Sequence, residues 1–218
     1  MVEIDAVTAR EEILGRISRA LSDVPAGERP ADVEVPRAYR RTEPGDVVER
    51  FVERVSEYKT TVRRVSARNV ATVVAERCRE RGASRLAVPT DLPAAWAPEG
   101  IELVREDTLD TAALDALDGA LTGCALAIAE TGTIAFDAGP GQGRRSLTLV
   151  PDYHLCVVEE AQIVGGIPEA MALIARTLRD DRRPVTLVSG PSATSDIELS
   201  RVEGVHGPRV LDVIVAGA

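Results

Sequence analysis

Apolar and polar residues recur along the chain at two different periods, and the change from one to the other divides it. From Thr8 to Leu21 the apolar positions Ile13, Leu14, Ile17 and Leu21 return at three- and four-residue steps, as on one face of a helix. Thr8 followed by Glu11 has the spacing of a capping box and predicts where that helix starts. Residues 23–45 carry Pro25, Pro30, Pro36 and Pro44 among charges, which predicts an extended linker. A second stripe follows in Val47, Val48, Phe51, Val52, Val55 and Tyr58. Residues 1–60 are therefore expected to form an N-terminal helical arm with a Pro-rich linker, and 61–218 an α/β domain.

From Thr61 the apolar runs shorten and alternate with helical stretches. Residues 62–65 predict a strand, and Ser66 is the candidate cap of a helix that carries Val70, Val73, Val74 and Cys78 and stops at Gly82. Strands are predicted over 86–88 and 101–104, with a short helix over 109–117. Residues 124–129 form a small-residue apolar run of the kind a strand buried on both faces shows. Further runs at 134–136, 147–150 and 155–158 crowd behind it and predict a hairpin. A helix over 167–178, with Pro168 in its first turn, precedes strands at 185–188 and 210–215. Strands alternating with helices predict an α/β fold: a mostly parallel, Rossmann-like sheet with helices on both faces.

Composition narrows this picture. The chain of 218 residues is 44% hydrophobic but only 3% aromatic, so its core must be built from Val, Leu, Ile and Ala. No apolar run approaches the roughly 18 residues a membrane span needs, and the N-terminus lacks the order of a signal peptide, so no span and a cytoplasmic location are expected. Residues 1–68 carry 13 acidic and 13 basic side chains, whereas 69–218 carry 22 and 13, so the whole net charge of −9 sits in the later part. That balance disfavours nucleic acid and makes Arg144 and Arg145 a local positive spot in an acidic body. Cys78, Cys124 and Cys156 are odd in number and lack a C-x-x-C, which predicts buried thiols and no disulfide frame, zinc or iron–sulfur site in this chain.

Three stretches hold candidate chemistry. In 139–145 the order Gly-Pro-Gly-Gln-Gly-Arg-Arg lets backbone approach a bound group, while Arg144 and Arg145 supply fixed cations that fork onto a carboxylate or phosphate. The same residues also suit a plain turn with solvated arginines. After the strand at 185–188, Ser192, Thr194 and backbone N–H groups offer donors to an anion, with Asp196 to orient them or handle protons; helix capping is the competing explanation. His206, flanked by glycine and proline, can serve as acid, base or donor, and His154 is a lesser candidate. Glu130 stands in the polar corner Glu130-Thr131-Gly132-Thr133. That corner and the Ser192 loop are both expected beyond strand carboxyl ends, facing one crevice. No P-loop, dinucleotide fingerprint or nucleophile elbow occurs.

Taken together, Glu130-Thr131-Gly132-Thr133, the glycine–arginine run 139–145, Leu149-Val150-Pro151-Asp152-Tyr153-His154, residues 190–198 and Gly204-Val205-His206-Gly207-Pro208 resemble the LUD-domain family, in particular its lactate-utilization C branch. The resemblance covers residues 123–210 and implies a fold of the NagB/RpiA/CoA-transferase type. It also implies a part in oxidising L-lactate to pyruvate beside iron–sulfur partner proteins, with no cofactor in this chain. On that reading Arg144 or Arg145 holds the substrate carboxylate. Thr131, Gly132, Thr133, Gly141, Gln142, Ser192, Thr194 and Asp196 complete the cradle, and Glu130 or His206 takes the proton. Two alternatives stand beside it. One is a non-catalytic scaffold that docks those partners through the helical arm. The other is an independent enzyme on a phosphorylated or CoA-linked small acid, with Glu130 as nucleophile.

Overall fold

A computed structural model describes residues 8–25, 27–36, 38–40, 45–194 and 202–217. The chain divides into two units, residues 1–39 and 40–218. The first carries helix α1, Ala9–Ala20, opened by the predicted capping box: Glu11 accepts from the Thr8 N–H at 2.9 Å, and Thr8 Oγ1 accepts from the Glu11 N–H at 3.3 Å. None of its residues is buried, and the apolar stripe Ile13, Leu14, Ile17 and Leu21 is exposed.

The second unit opens with helix α2, Val47–Ser56, capped by Asp46, whose carboxylate accepts from the N–H groups of Val48 and Glu49. Phe51 and Val55 of α2 are fully buried in a cluster with Ile134, Phe136 and Val213. Helix α2 thus packs into the second unit, which begins at residue 40. A helical stripe announces a face that needs cover, but not which surface covers it.

Six strands build the main sheet: β1 (Thr61–Ser66), β2 (Arg85–Val88), β3 (Glu102–Arg105), β4 (Gly119–Thr122), β7 (Tyr153–Glu159) and β12 (Val210–Gly217). Their order is β1–β12–β7–β4–β2–β3, and every neighbouring pair is parallel. Helix α3, Val70–Arg81, covers one face through Val70, Val74 and Cys78, which pack with Leu121, Tyr153, Leu155, Val157 and Ile214. It ends on Gly82, whose left-handed φ of 68° any side chain would strain.

The other face departs from the expected helical layer. It is covered by α2 and by a second, four-stranded sheet in the order β8–β5–β6–β9, made of β5 (Leu126–Ile128), β6 (Thr133–Phe136), β8 (Ile163–Val164) and β9 (Thr186–Val188). Helix α5, Ile167–Asp180, lies against the outside of this second sheet through Ala170 and Ile174. The predicted hairpin is β5–β6, antiparallel. A small antiparallel pair, β10 (Ala193–Thr194) and β11 (Val202–Glu203), completes the strands. No described helix is long and apolar enough to cross a membrane.

Several local expectations shift. The apolar run that begins at Cys124 serves the second sheet as β5, and β4 of the main sheet ends before it, at Thr122. Strand β4 was hidden because it starts on Gly119, where an added Cβ would lie 2.8 Å from the Tyr153 carbonyl oxygen. Residues 147–150 form no strand. The chain there makes a 3-10 turn, Arg145–Thr148, closed by bonds such as Leu147 N–H to Arg144 O at 2.9 Å, and it buries Leu147 against Ala87, Leu114 and Ala120. The helix expected over 109–117 shortens to α4, Thr111–Asp115, because Asp110 caps it and accepts from Ala113 N–H at 2.7 Å. Ser66 caps nothing through its side chain: a 3-10 turn, Ala67–Asn69, intervenes before α3.

One buried ionic cluster joins α3 to the main sheet. The Asp212 carboxylate on β12 is only 2% exposed and lies 2.9 Å from the Arg77 guanidinium, 3.2 Å from that of Arg81 and 2.9 Å from the Tyr153 hydroxyl. Arg81 also stacks 4.9 Å over the Tyr153 ring. Burial, followed by the facing Asp212 charge, holds the Tyr153 hydroxyl far above its ordinary pKa and keeps it protonated as a donor. Replacing Asp212 with Asn should leave the buried Arg77 without this partner and lower the unfolding free energy by about 3 kcal/mol, read as a shift of the urea midpoint. A loss under about 1 kcal/mol would show that Arg77 is not held by this charge.

Candidate functional site

The glycine–arginine loop leaves β6, closes on the carboxyl end of β4, where Gly141 O accepts from Gly123 N–H at 2.7 Å, and then runs over the sheet to the start of β7. Its turn is locked internally. Gln142, 3% exposed, accepts from the Asp137 N–H at 2.8 Å and donates to the Asp137 carboxylate at 2.7 Å. The same carboxylate takes the Gly139 N–H, and Gly141 N–H goes to Asp91. Gly141 and Gln142 therefore shape the loop, and their polar groups are spent within the protein. Asp91, Glu106 and Asp137 are the partners that sequence reasoning missed, for they lie far along the chain or read as ordinary surface acids.

The two arginines part company. Arg144 turns back to Glu106, which accepts from its backbone N–H at 2.8 Å and lies 3.8 Å from its guanidinium, while Leu109 O accepts from the same side chain. Arg145 has no carboxylate partner among the described residues and lines an open cleft of about 740 Å³ with His206, Arg209, Asp115 and Asp152. In that cleft Arg209 is paired with Asp152.

Ser192 and His206 are joined directly. Ser192 Oγ accepts from the His206 N–H at 3.0 Å, Ser192 N–H donates to Pro208 O, and Ser192 O accepts from Gly204 N–H. A serine oxygen that accepts one N–H keeps its own proton to donate. An inner chamber of about 260 Å³ opens beside this junction, lined by Ser189, Ser192, His206, Thr148, Leu211 and His154. The chamber and the outer cleft share Leu149, His206 and Gly207, so they adjoin. Their place corrects the expected crevice. His154 and Leu211 stand near the amino ends of β7 and β12, between the two sheets, and not beyond the carboxyl ends of the main sheet.

Glu130 is not among the residues lining either space. Its carboxylate lies 3.8 Å from Arg40 and accepts from the Ile167 N–H at 3.4 Å, at the start of α5, where the helix dipole favours an acid. Gly132 is needed for packing: a Cβ there would sit 2.6 Å from the Val55 backbone nitrogen. Thr131 and Thr133 link hydroxyls at 2.7 Å, and Thr133 continues to Ser189 at 2.8 Å, so this chain of hydroxyls connects the corner to the chamber wall. Thr194 belongs to β10, but its side chain lies outside the described residues, as does Asp196.

His154 is the larger surprise. It is 2% exposed, its Nε2 lies 2.8 Å from Thr122 Oγ1, and its ring stands 5.4 Å from that of Phe136. Burial pushes its pKa down to about 4. The only signal for it in the sequence was its place immediately before the apolar run 155–158. Burial likewise pushes the Cys78 thiol up to about 11 and, with the Cys124 thiol beside it, holds Cys156 well above the thiol range, so neither is an activated nucleophile.

A mixed α/β protein with a six-stranded parallel sheet and a cleft between two sheets defines the class. The chain belongs to the LUD domain family, whose model matches residues 48–216, from α2 to the end of β12. It is similar to Lactate utilization protein C of Deinococcus radiodurans, 44% identical over 213 residues and 96% of each chain. It is also similar to Lactate utilization protein C of an Exiguobacterium species, 32% identical over 148 residues and 63% of each. A crystal structure of a DUF162 family protein from Deinococcus radiodurans superposes with a TM-score of 0.69 at 41% identity, covering 78% of this chain and 96% of that one.

Neutral burial of His154 has a cost in acid. The unfolded imidazole takes its proton at about 6.5 and the folded one at about 4, so between these values the unfolded chain binds more protons and stability rises with pH. As pH falls through this window the protein should lose about 3 kcal/mol to this group alone, at about 1.4 kcal/mol per pH unit. His154→Gln should flatten the difference in urea midpoint between pH 7 and pH 4.5 relative to wild type. An unchanged difference would mean that the ring is hydrated in the fold.

Proposed function

We propose that this protein is a component of an L-lactate utilisation system and that its cleft binds the small hydroxy acid. The observation that carries this reading is that Arg145, a cation without a carboxylate partner among the described residues, lines the same cleft as His206, which is tied to Ser192. A guanidinium and a free serine proton are suited to the two oxygens of one carboxylate. The names of relatives similar over nearly the whole chain support the substrate class.

Oxidation of L-lactate to pyruvate removes two electrons and two protons. His206 is the proton acceptor in this reading, because the Glu130 carboxylate faces Arg40 and the start of α5. The two electrons and the second proton pass to iron–sulfur partner proteins, since the three cysteines here are widely spaced and buried. A second reading, a scaffold that docks those partners through α1, is favoured by one observation: the apolar stripe of α1 has no buried residue. Deleting residues 1–39 separates the two, because loss of partner capture with intact lactate binding assigns docking to the arm.

Titration calorimetry with L-lactate and pyruvate tests the primary reading, and wild-type protein that binds neither acid, alone or with its partners, would remove it. Arg145→Ala should weaken binding roughly 10- to 100-fold, the worth of one charge-assisted hydrogen bond, with an unchanged melting temperature. Arg144→Ala should do the opposite, because its charge is committed to Glu106 and Leu109: lower melting temperature and affinity retained.

A further inference from the structure

The wall of the inner chamber includes His154, a side chain that the proposed carboxylate grip leaves unused. Thr122 Oγ1 lies 2.9 Å from the Gly123 carbonyl oxygen and 2.8 Å from His154 Nε2. The carbonyl can only accept, so it takes the single threonine proton, and the threonine oxygen then accepts from Nε2–H. That places the imidazole proton on Nε2 and leaves Nδ1 as a bare acceptor. No described residue bonds Nδ1, although the ring is 2% exposed and forms part of the chamber wall. An acceptor nitrogen on the wall of a chamber is open to a donor from a ligand or a water.

We infer that the inner chamber is where the hydroxyl of a 2-hydroxy acid sits, donating to Nδ1 of His154, and that His154 is the residue that selects the hydroxy acid over the matching 2-oxo acid. This rests on the proposal that the cleft binds lactate, and it adds the direction in which the acid lies: carboxylate toward Arg145 and Ser192, hydroxyl toward the floor. The chamber, about 260 Å³, lies just below the roughly 300–1,000 Å³ of ordinary ligand pockets, which suits a molecule of a few heavy atoms. A keto oxygen brings lone pairs against a lone pair and satisfies nothing. The alternative, a protonated ring that donates to the ketone, is closed at neutral pH because burial among Phe136, Leu211 and the two sheets keeps the imidazole uncharged. The charged groups of the outer cleft, Arg145, Arg209, Asp152 and Asp115, do not line the chamber.

Two measurements test this. The chain has two histidines, so in ¹⁵N-histidine-labelled His206→Gln protein every imidazole signal belongs to His154. Long-range ¹H–¹⁵N spectra at pH 7 should show Nε2 protonated and Nδ1 bare, and L-lactate should move the Nδ1 resonance. A ring protonated on Nδ1, or an Nδ1 signal that stays still while calorimetry reports lactate binding, overturns the inference and leaves the lactate reading standing. In wild-type protein L-lactate should bind about tenfold or more tightly than pyruvate, the effect of leaving one buried acceptor unpaired. His154→Phe should remove that preference by weakening lactate and not pyruvate, and His154→Gln, which retains an acceptor, should restore part of it. Equal affinities in wild type, or equal loss for both acids in His154→Phe, sink the role of His154. No heat with either acid sinks the lactate reading itself, and the hydroxyl assignment with it.

Discussion

The period of two along β7 is the constraint on which the rest of this molecule depends. Tyr153 and His154 are neighbours in sequence, and the pleat sends them to opposite faces of the main sheet. On one face Tyr153 meets Asp212, which Arg77 and Arg81 of α3 also grip. On the other, His154 meets Thr122 and the ring of Phe136 from the second sheet. Slipping the pairing by one residue would put a phenol under the second sheet and an imidazole against two guanidinium groups. The ionic cluster that joins α3 to the sheet thus also fixes which residue reaches the chamber.

The cleft exists because the second sheet does not cover the first completely. Its strands pack over β7 and β12 through Ala127, Ile134 and Phe136, and at the amino ends of those strands β9 gives way to the Ser189–Ala193 turn. That turn is held by backbone bonds to Gly204 and Pro208. Gly190 permits its close approach to the turn after α2, since a Cβ there would lie 2.3 Å from the Tyr58 Cβ. Polar groups around the cleft fall into two kinds: those consumed by the protein, such as Gln142, Glu106 and Asp137, and those that the proposed site would use, such as Arg145, which has no carboxylate partner among the described residues, and the Ser192 hydroxyl.

Sequence alone determined the alternation of strands and helices, the capping box of α1, the stop of α3 at Gly82, the β5–β6 hairpin and the two loops that carry Arg145, Ser192 and His206. These are readable because they depend on local periods, on glycine at a left-handed position and on runs of donor residues. Only the tertiary structure decided which of the two arginines has a carboxylate partner among the described residues, that Glu130 belongs to the start of α5, that α2 joins the body, and that a histidine just before an apolar run faces a cavity. Each of these depends on a partner distant in sequence: Glu106 for Arg144, Arg40 and Ile167 for Glu130, Ile134 and Val213 for α2, Thr122 for His154. Periodicity marks the face on which a side chain leaves its element, and packing alone supplies what that face meets.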